Sequence, residues 1–570
     1  IQGGSTSFND TGIHLVDQNF DFGCDGPQTD SSNDSWGLTL EDDGVSGTAS
    51  VRLKHRGATT YTINLLSSYP GGSEENWDYT NDRLLMAFDA DNKKVYFGMW
   101  DNDSSASIWF ANDGGVDGNP ATSANPSFAP SGVTSGEEFT GDGWYLAGHL
   151  NDNNDTSNKM RMYSIPSTWS GTAPSGYKAL STFNYTAPTY TDARKYFAPV
   201  LYEGSGDFLT VRGCFDSTGT AWTPDWVWIK NREQTDDHRI FDTVRESPHY
   251  LESHSNVANS QGNYVGTMLT DFISGGFRVG SNVSVNTASE SYVAWCWRAG
   301  GQPTLDNDNT SGAMDDGSVF KSGTVQTSYT PSGSPSIYPK KMSIAEHGGF
   351  SIIEYIGNGS AGATIPHGLD AAAEFQIFKR MRTAASASAT QDWHVGTDVT
   401  GSIIGSELNN STGTVTAAVS AFNTHTTALA ASGVVNDNND TYISYAFKKT
   451  PGLIGIGTYI GNGSTDGPYV AVDDGSAGFR PAFILGKQTN ADGQNWWIID
   501  NGREQANLAD GNMLFPTTNA VEADNSGNAI DFVAAGFKPR SSDTHLNANG
   551  GTYIYLAFAD QAFQLQARAR

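Results

Sequence analysis

The chain has 570 residues, enough for several domains at about 100 to 200 residues each. Its 33 basic and 62 acidic residues give a net charge of −29, which repels nucleic acid and anionic membranes, so neither is predicted as a partner. Three cysteines are too few for a disulfide framework, and no run of about 20 apolar residues predicts membrane insertion. With 64 glycines, 11 % aromatic residues and no long helical pattern, the composition predicts an all-β fold.

Residues 1–200 differ from the rest of the chain and predict one antiparallel β-sandwich domain. Within them, Leu84–Trp100 alternates in hydrophobicity on both sides of a polar turn at Asp89–Lys93, which is the pattern of a β-hairpin. Turns rich in Gly and Asn separate the remaining predicted strands of this region, which lie at 50–56, 60–66, 107–111 and 144–148.

The stretch Trp222-Thr-Pro-Asp-Trp-Val-Trp-Ile-Lys230 predicts a strand that follows a proline-containing turn. Its period of two places the tryptophans and the lysine on one face and the aliphatic residues on the other. Arg480-Pro-Ala-Phe-Ile-Leu-Gly-Lys487 has a similar order, and Ala373-Glu-Phe-Gln-Ile-Phe-Lys379 is a looser copy. We therefore predict one domain used three times.

The flanks of the three copies agree with this prediction. Each copy opens on a Tyr-x-Gly-x-Gly motif, at Tyr202, Tyr355 and Tyr459, and closes on an aromatic strand, at Ser291–Arg298, Thr441–Lys448 and Thr552–Phe558. From opening to closing tyrosine the copies span 90, 87 and 94 residues, a period that indicates small domains and not a solenoid. The predicted boundaries are 201–300, 348–451 and 452–570, with a connector rich in Gly, Ser, Pro and Asp at 301–347.

Two parts of the chain resemble bacteriophage virion proteins. The hairpin Phe88–Trp100, Gly118-Asn-Pro-Ala-Thr122 and Pro174-Ser-Gly-Tyr-Lys-Ala-Leu180 resemble the SPRY-like β-sandwich found in many such proteins, although Asn158–Tyr163 departs from its usual ending. Segments such as Tyr355-Ile-Gly-Asn-Gly359 and Gly551-Thr-Tyr-Ile-Tyr-Leu-Ala-Phe558 resemble repeated modules of phage tail and tail-fibre proteins, particularly of marine phages. The two resemblances cover roughly residues 40–185 and 200–562.

These resemblances imply a structural virion protein, in a tail fibre or another external appendage, with other virion proteins as partners. Members of such families are usually homo-oligomers, often trimers, and contact a glycan or receptor on the host surface. We predict no enzyme activity, no catalytic residues and no cofactor. Two alternatives stay open, a capsid decoration or knob protein and a depolymerase that digests host glycans.

Aspartate and asparagine alternate in two identical loops, Asn151-Asp-Asn-Asn-Asp-Thr156 and Asn436-Asp-Asn-Asn-Asp-Thr441. Oxygen-rich loops of this kind suit calcium, which makes Asp152, Asp155, Asp437 and Asp440 its candidate ligands. The glycine and the glutamate of an EF-hand are absent, and the same residue types form tight turns before strands. Both interpretations stay open, with the turn favoured.

Other motifs have an ordinary structural interpretation. Gly357–Gly362 has the spacing of a dinucleotide-binding loop, but no helix pattern follows it, so we predict a turn. His238 and His394 occupy similar places in their copies, where the third copy has Trp497, and we predict polar packing. The tryptophan pairs at 226 and 228 and at 295 and 297 predict core packing in preference to a sugar-binding platform.

Neighbouring carboxylates are the remaining candidates for chemistry. The three pairs are Asp42 with Asp43, Glu74 with Glu75 and Glu137 with Glu138. A glycosidase needs two carboxyl groups about 5 to 10 Å apart across a groove, whereas adjacent residues on a strand point to opposite faces. A solvated surface is therefore the predicted role of these pairs.

Overall fold

We analysed a computed structural model of the chain, which divides into two compact units, Ile1–Asn184 and Tyr185–Arg570. The predicted boundary at residue 200 falls inside a strand of the second unit. The structure describes residues 11–17, 35–42, 49–55, 58–64, 83–89, 92–102, 104–113, 115–129, 144–150, 172–178, 190, 192–246, 249–257, 266–345, 349–382, 391–430, 434–476, 478–503, 512–524 and 530–562.

The N-terminal unit contains two antiparallel sheets in its described residues. One has the strand order β4-β3-β2-β1-β8 and the other the order β5-β6-β7. Their bounds are β1 (Thr11–Asp17), β2 (Ser35–Asp42), β3 (Ala49–His55), β4 (Ala58–Asn64), β5 (Arg83–Asp89), β6 (Lys94–Asp101), β7 (Ala106–Trp109) and β8 (Trp144–Leu150). The predicted hairpin is β5 and β6, whose register pairs Asp89 with Lys94 across the polar turn.

A small core joins the sheets of this unit. Alternate residues of β6, namely Val95, Phe97 and Met99, are fully buried and pack with Trp36 of β2. Phe128 packs edge-to-face on Phe97, with 6.1 Å between the ring centroids, and continues this core. Tyr96, on the opposite face of β6, is also fully buried, so this strand is covered on both faces.

The C-terminal unit is built from three modules, and its described residues include two four-residue α-helices. The first module contains β9 (Phe197–Glu203), β10 (Leu209–Arg212), β11 (Trp226–Asn231), β12 (Arg239–Asp242), β13 (Leu269–Ile273), β14 (Gly276–Val279), α1 (Val283–Asn286) and β15 (Ser291–Trp297). The second contains β16 (Val319–Lys321), β17 (Thr324–Val325), β18 (Lys341–Ile344), β19 (Phe350–Ile356), β20 (Thr364–Pro366), β21 (Phe375–Arg382), β22 (His394–Thr397), β23 (Ile404–Glu407), β24 (Val419–Phe422), β25 (Thr426–Leu429) and β26 (Thr441–Phe447). The third contains β27 (Ile454–Ile460), β28 (Val470–Ala471), β29 (Phe479–Gln488), β30 (Trp497–Asp500), β31 (Asn512–Met513), β32 (Ala523–Asp524), β33 (Ile530–Val533), β34 (Gly536–Pro539), α2 (Thr544–Asn547) and β35 (Thr552–Ala562).

All three modules have the same topology, which confirms the prediction of a repeated β-sandwich. Each main sheet runs from the opening strand through the closing strand to the lysine-bearing strand and its neighbour, as β9-β15-β11-β12, β19-β26-β21-β22 and β27-β35-β29-β30. Each second sheet has three strands, in the orders β10-β14-β13, β20-β25-β24 and β28-β34-β33. Main-sheet pairing is antiparallel throughout these strands, so sequence-adjacent elements need only short connections.

The segment predicted as a connector is structured. Its strand β18 pairs with β19 and extends the second module's main sheet, while β16 runs parallel to β18 and β17 forms the sheet edge. The sequence gives no strong strand signal here because β16, β17 and β18 contain only two to four residues each. Segment 301–345 therefore belongs to the second module and covers the edge of its opening strand.

No helix among the described residues is long and apolar enough to cross a membrane.

Candidate functional site

The main sheets of the three modules bury their aromatic faces against one another and form one shared core. Trp226 of the first module stacks on Tyr445 of the second, with 4.6 Å between the ring centroids. Phe558 of the third module lies 5.7 Å from Trp297 and 5.8 Å from Phe447, which are its equivalents in the first and second modules. Equivalent residues of the three closing strands therefore meet in one aromatic cluster.

A small apolar cavity of about 10 Å³ borders this core, with room for about one water molecule. All three modules line it, through Trp297, Phe350, Leu453 and Phe558 among others. A cavity of this size is far below the several hundred Å³ of a typical small-molecule pocket. Packing is therefore the role of this part of the molecule.

The two tryptophan pairs on β11 and β15 are core residues, as the sequence predicts. Trp226, Trp228, Trp295 and Trp297 are each at most 2 % exposed, so none offers a ring face to a sugar. The core that they fill is shared by three modules, whereas the prediction placed them in the core of one module. The opposite face of β11 carries Val227 and packs in the first module's own core.

Tryptophan ring nitrogens donate hydrogen bonds across the seams, the lines of contact between neighbouring modules. Trp393 Nε1 of the second module donates to the Glu252 carbonyl of the first, at 2.8 Å. Trp496 Nε1 of the third module donates to the Glu407 carbonyl of the second, at 2.9 Å. Arg239, His394 and Trp497 pair at the same position of their sheets. The residues just before them are therefore equivalent in the three modules, namely His238, Trp393 and Trp496.

This register corrects the predicted equivalence of His238 and His394, which are offset by one residue and so lie on opposite faces of their strands. Both imidazoles are buried, and His238 Nδ1 accepts a hydrogen bond from Trp228 Nε1 at 2.9 Å. Burial lowers the pKa of His238 well below its usual value and lowers that of His394 to about 4. Both are neutral at pH 7, in accord with a packing role.

Two buried ion pairs accept hydrogen bonds from a neighbouring module. Asp242 of the first module accepts hydrogen bonds from Arg245 Nε at 2.6 Å and from Tyr445 Oη of the second at 2.7 Å. Asp500 of the third module likewise accepts hydrogen bonds from Arg503 Nε at 2.7 Å and from Trp295 Nε1 of the first module at 2.9 Å. These carboxylates are paired and fully buried, which is a structural arrangement and leaves them without access to a substrate.

In each module a buried asparagine holds the Tyr-x-Gly-x-Gly turn. Asn547 accepts from the Asn462 amide at 2.8 Å and donates to the Ser464 carbonyl at 2.7 Å. The equivalent bonds join Ser205 to Asn286 at 2.7 Å and Asn358 to Asn436 at 2.9 Å. Opening and closing tyrosines stack beside these turns, with centroid distances of 5.0 Å for Tyr202–Tyr292, 5.3 Å for Tyr355–Tyr442 and 4.7 Å for Tyr459–Tyr553.

The turn predicted at Gly357–Gly362 is confirmed. Gly359 and Gly362 have φ angles of +72° and +73°, which favour glycine, and strand β20 follows where a nucleotide-binding loop requires a helix. A side chain at Gly357 would meet the Asp437 carbonyl at 2.3 Å, so the close approach of two backbones explains this glycine. The asparagines that hold these turns were missed, although each lies six residues before its closing tyrosine.

Of the four calcium candidates, Asp152 and Asp155 lie outside the described residues. Asp437 and Asp440 both pair with the guanidinium of Arg380, and Asn439 between them has a left-handed φ of +63°. The loop is thus a tight turn whose carboxylates already face a cation. The calcium interpretation of this loop stays a prediction.

One further cluster was not predicted from the sequence. Asp237, Glu252 and His254 have ligand atoms within 4.8 Å of one another, the spacing of a metal site. Arg239 contacts both carboxylates, and His254 Nε2 lies 3.1 Å from Asp237. The positive charge that a metal would supply is therefore already present as a guanidinium, and the cluster is an ion-pair network.

The predicted carboxylate pairs fall outside the part of the chain whose side chains the structure describes. This holds for Asp42 with Asp43, Glu74 with Glu75 and Glu137 with Glu138. Their predicted role as a solvated surface stays a prediction.

Fold and site together define an all-β protein in which three related β-sandwich modules share one core. The family model described as "Domain of unknown function (DUF7483)" matches residues 192–335 and 322–562, more than half of the chain. The chain therefore belongs to this family. No curated protein and no solved structure matches it.

Proposed function

We propose that this chain is a structural protein of a bacteriophage virion, in a tail fibre or another external appendage that contacts the host surface. One observation carries the proposal beyond the sequence resemblance. Seven tryptophans of the C-terminal unit are buried in a core shared by three modules, and close packing of this kind makes a rigid body. The described outer loops are then the part of this unit that can contact other molecules.

The chemistry of the described residues also favours assembly over catalysis. The buried histidines His238 and His394 are neutral and packed, and the buried carboxylates at the seams are paired with arginine. An exposed, unpaired acid and base beside a groove would be needed for a glycan depolymerase. Other virion proteins and a host surface glycan or receptor are the proposed partners.

The proposed homo-oligomer would use surfaces other than the shared core. Within one chain the three main sheets already cover one another's aromatic faces, so these faces are closed to further copies. A contact between chains would then involve the outer loops or the N-terminal unit.

A cryo-EM map of the intact particle that carries this chain tests the proposal. Density for the three-module body in a fibre or tail appendage would support it and would give the number of copies. Density spread over the capsid would replace it with a decoration role. Turnover of host polysaccharide by the purified chain would refute the structural proposal.

A further inference from the structure

Two of the seams between modules are bridged by a buried lysine in the same way. Lys379 on β21 donates to the Gln391 carbonyl of its own module and to the Ser255 carbonyl of the first module, the latter at 3.3 Å. Lys487 on β29 makes the equivalent pair of bonds in the next seam. Its partners are the Gln494 carbonyl of the third module and the Asn410 carbonyl of the second, the latter at 3.4 Å.

A main-chain hydrogen bond lies directly beside each lysine bridge. The Gln391 amide donates to the Asn256 carbonyl at 2.8 Å, one residue after the Ser255 carbonyl that Lys379 binds. The Gly493 amide donates to the Ser411 carbonyl at 3.0 Å, one residue after the Asn410 carbonyl that Lys487 binds. Each seam is therefore held by an ammonium group and an amide on two consecutive carbonyls.

Neither ammonium has an ion-pair partner in the described part of the chain. Both lysines are 0 % exposed and donate to neutral carbonyls, and the Lys379 ammonium also lies 5.7 Å from the centroid of the Trp393 ring. Asp392 and Glu252 face Lys379 at longer range and are opposed by Arg380, with neutral His394 nearby, whereas Asp492 faces Lys487. Burial lowers the pKa of Lys379 to about 7 and that of Lys487 to about 8.

We propose that Lys379 and Lys487 are proton-dependent latches that set how tightly the second module holds the first and the third. Loss of the proton removes a buried charge, and the neutral amine keeps two N–H donors, enough for both carbonyls. The seams therefore tighten as the pH rises above neutrality.

The direction follows from proton linkage. In a closed seam the lysine pKa is about 7 to 8, and in an open, solvated seam it returns towards about 10.4. Between these values the open form binds more protons, so rising pH favours the closed form. One proton changes the opening equilibrium constant by up to about tenfold per pH unit for each lysine.

The first module supplies a matched control. Lys230 occupies the same strand position, is also 0 % exposed, and has a pKa lowered to about 8 by burial. Its two carbonyl partners, Asn231 at 2.7 Å and Gln234 at 2.9 Å, belong to its own module. Asp236, Asp237 and Glu522 face it, and His238 lies nearby. It titrates like the latches but bridges no seam.

Amide hydrogen exchange of the full chain between pH 6.5 and 9 tests the latches, with protection factors read at Gln391 and Gly493. In the unsubstituted chain both protection factors should rise with pH, by up to about tenfold per unit. Lys379→Met should abolish the rise at Gln391 and keep it at Gly493, and Lys487→Met should do the reverse. Lys230→Met should leave both rises intact.

Protection that is flat or falls with pH in the unsubstituted chain would overturn the proposal, and so would a rise at Gln391 that survives Lys379→Met. If a methionine variant does not fold, titration of the lysine side-chain signals by NMR in the unsubstituted chain decides. A pKa above about 10 for Lys379 and Lys487 would then refute the latches.

Discussion

Replacing Trp226 with alanine tests whether the three modules share one core. This side chain is 2 % exposed and lies 4.1 Å from Trp297 of its own module, 4.6 Å from Tyr445 and 5.7 Å from Phe350 of the second, all between ring centroids. Removing a buried tryptophan costs about 3–5 kcal/mol, and each lost aromatic pair contributes about 0.5–1.5 kcal/mol of it. Two of these three ring pairs cross to the second module, so that module should be loosened too.

Hydrogen exchange of the β26 amides in the second module measures this coupling. Trp226→Ala should lower their protection by at least tenfold, since a loss of about 1.4 kcal/mol already has that effect. Phe277→Ala is the matched control, because Phe277 is fully buried in the first module's own core and should affect mainly β13 and β14. Unchanged β26 protection in Trp226→Ala, or an equal loss in both variants, would refute the shared core.

Four further results are expected from unfolding experiments on the full chain. Asp500→Asn should cost about 1.5–3 kcal/mol because it removes the charged partner of Arg503 Nε, while the buried guanidinium keeps its pair with Glu522. Asp271→Asn, in an ion pair that is 51 % exposed, should cost less than about 1 kcal/mol in the same denaturant titration, and equal costs would contradict this. Asn547→Ala should lose about 1–3 kcal/mol with the turn that it holds, and an unchanged midpoint would show that the turn stands without it. Burial raises the pKa of Asp225 to about 6, so its stabilising contribution is present below about pH 4 and is lost as the pH rises through 6. Asp225→Asn should remove this part of the dependence of unfolding free energy on pH, and an identical dependence in the variant would contradict the raised pKa. Calcium should leave the melting temperature unchanged because an arginine already neutralises Asp437, and a rise that Asp437→Asn abolishes would establish a calcium site.

The repeats were predictable because a few positions are fixed by local physics. Lys230, Lys379 and Lys487 mark the same strand, and a Tyr-x-Gly-x-Gly turn begins each module where two backbones approach closely. Such constraints leave a signal even where other residues diverge. The short strands of 301–345 leave none, since a strand of two to four residues shows no period.

The shared core had a signal that the prediction did not use. In β11 the residues Trp226, Val227, Trp228 and Ile229 are all apolar, and all are buried. A strand that is apolar on both faces needs a partner on each face, whereas a single two-layer sandwich covers only one. The seam contacts could not be predicted, because Trp393 and Trp496 donate to main-chain carbonyls, which carry no sequence signature.

Whether His238 and His394 are equivalent depends on the register of their strands. A shift of one residue moves a side chain to the other face of its strand, and the sequence around His238 and His394 allows both alignments. Only the pairing of Ile229 with Arg239 and of Phe378 with His394 decides between them.

Placing three modules in one chain changes how their association depends on concentration. Three separate subunits around an axis would come apart on dilution, whereas tethered modules experience a fixed effective concentration, in the millimolar range for short flexible links. The second and third modules are joined by the few residues between Phe447 and Ile454, so their contact survives at any dilution. Single-chain encoding also lets Trp297, Phe447 and Phe558 differ in size at equivalent places, a freedom that three identical subunits do not have.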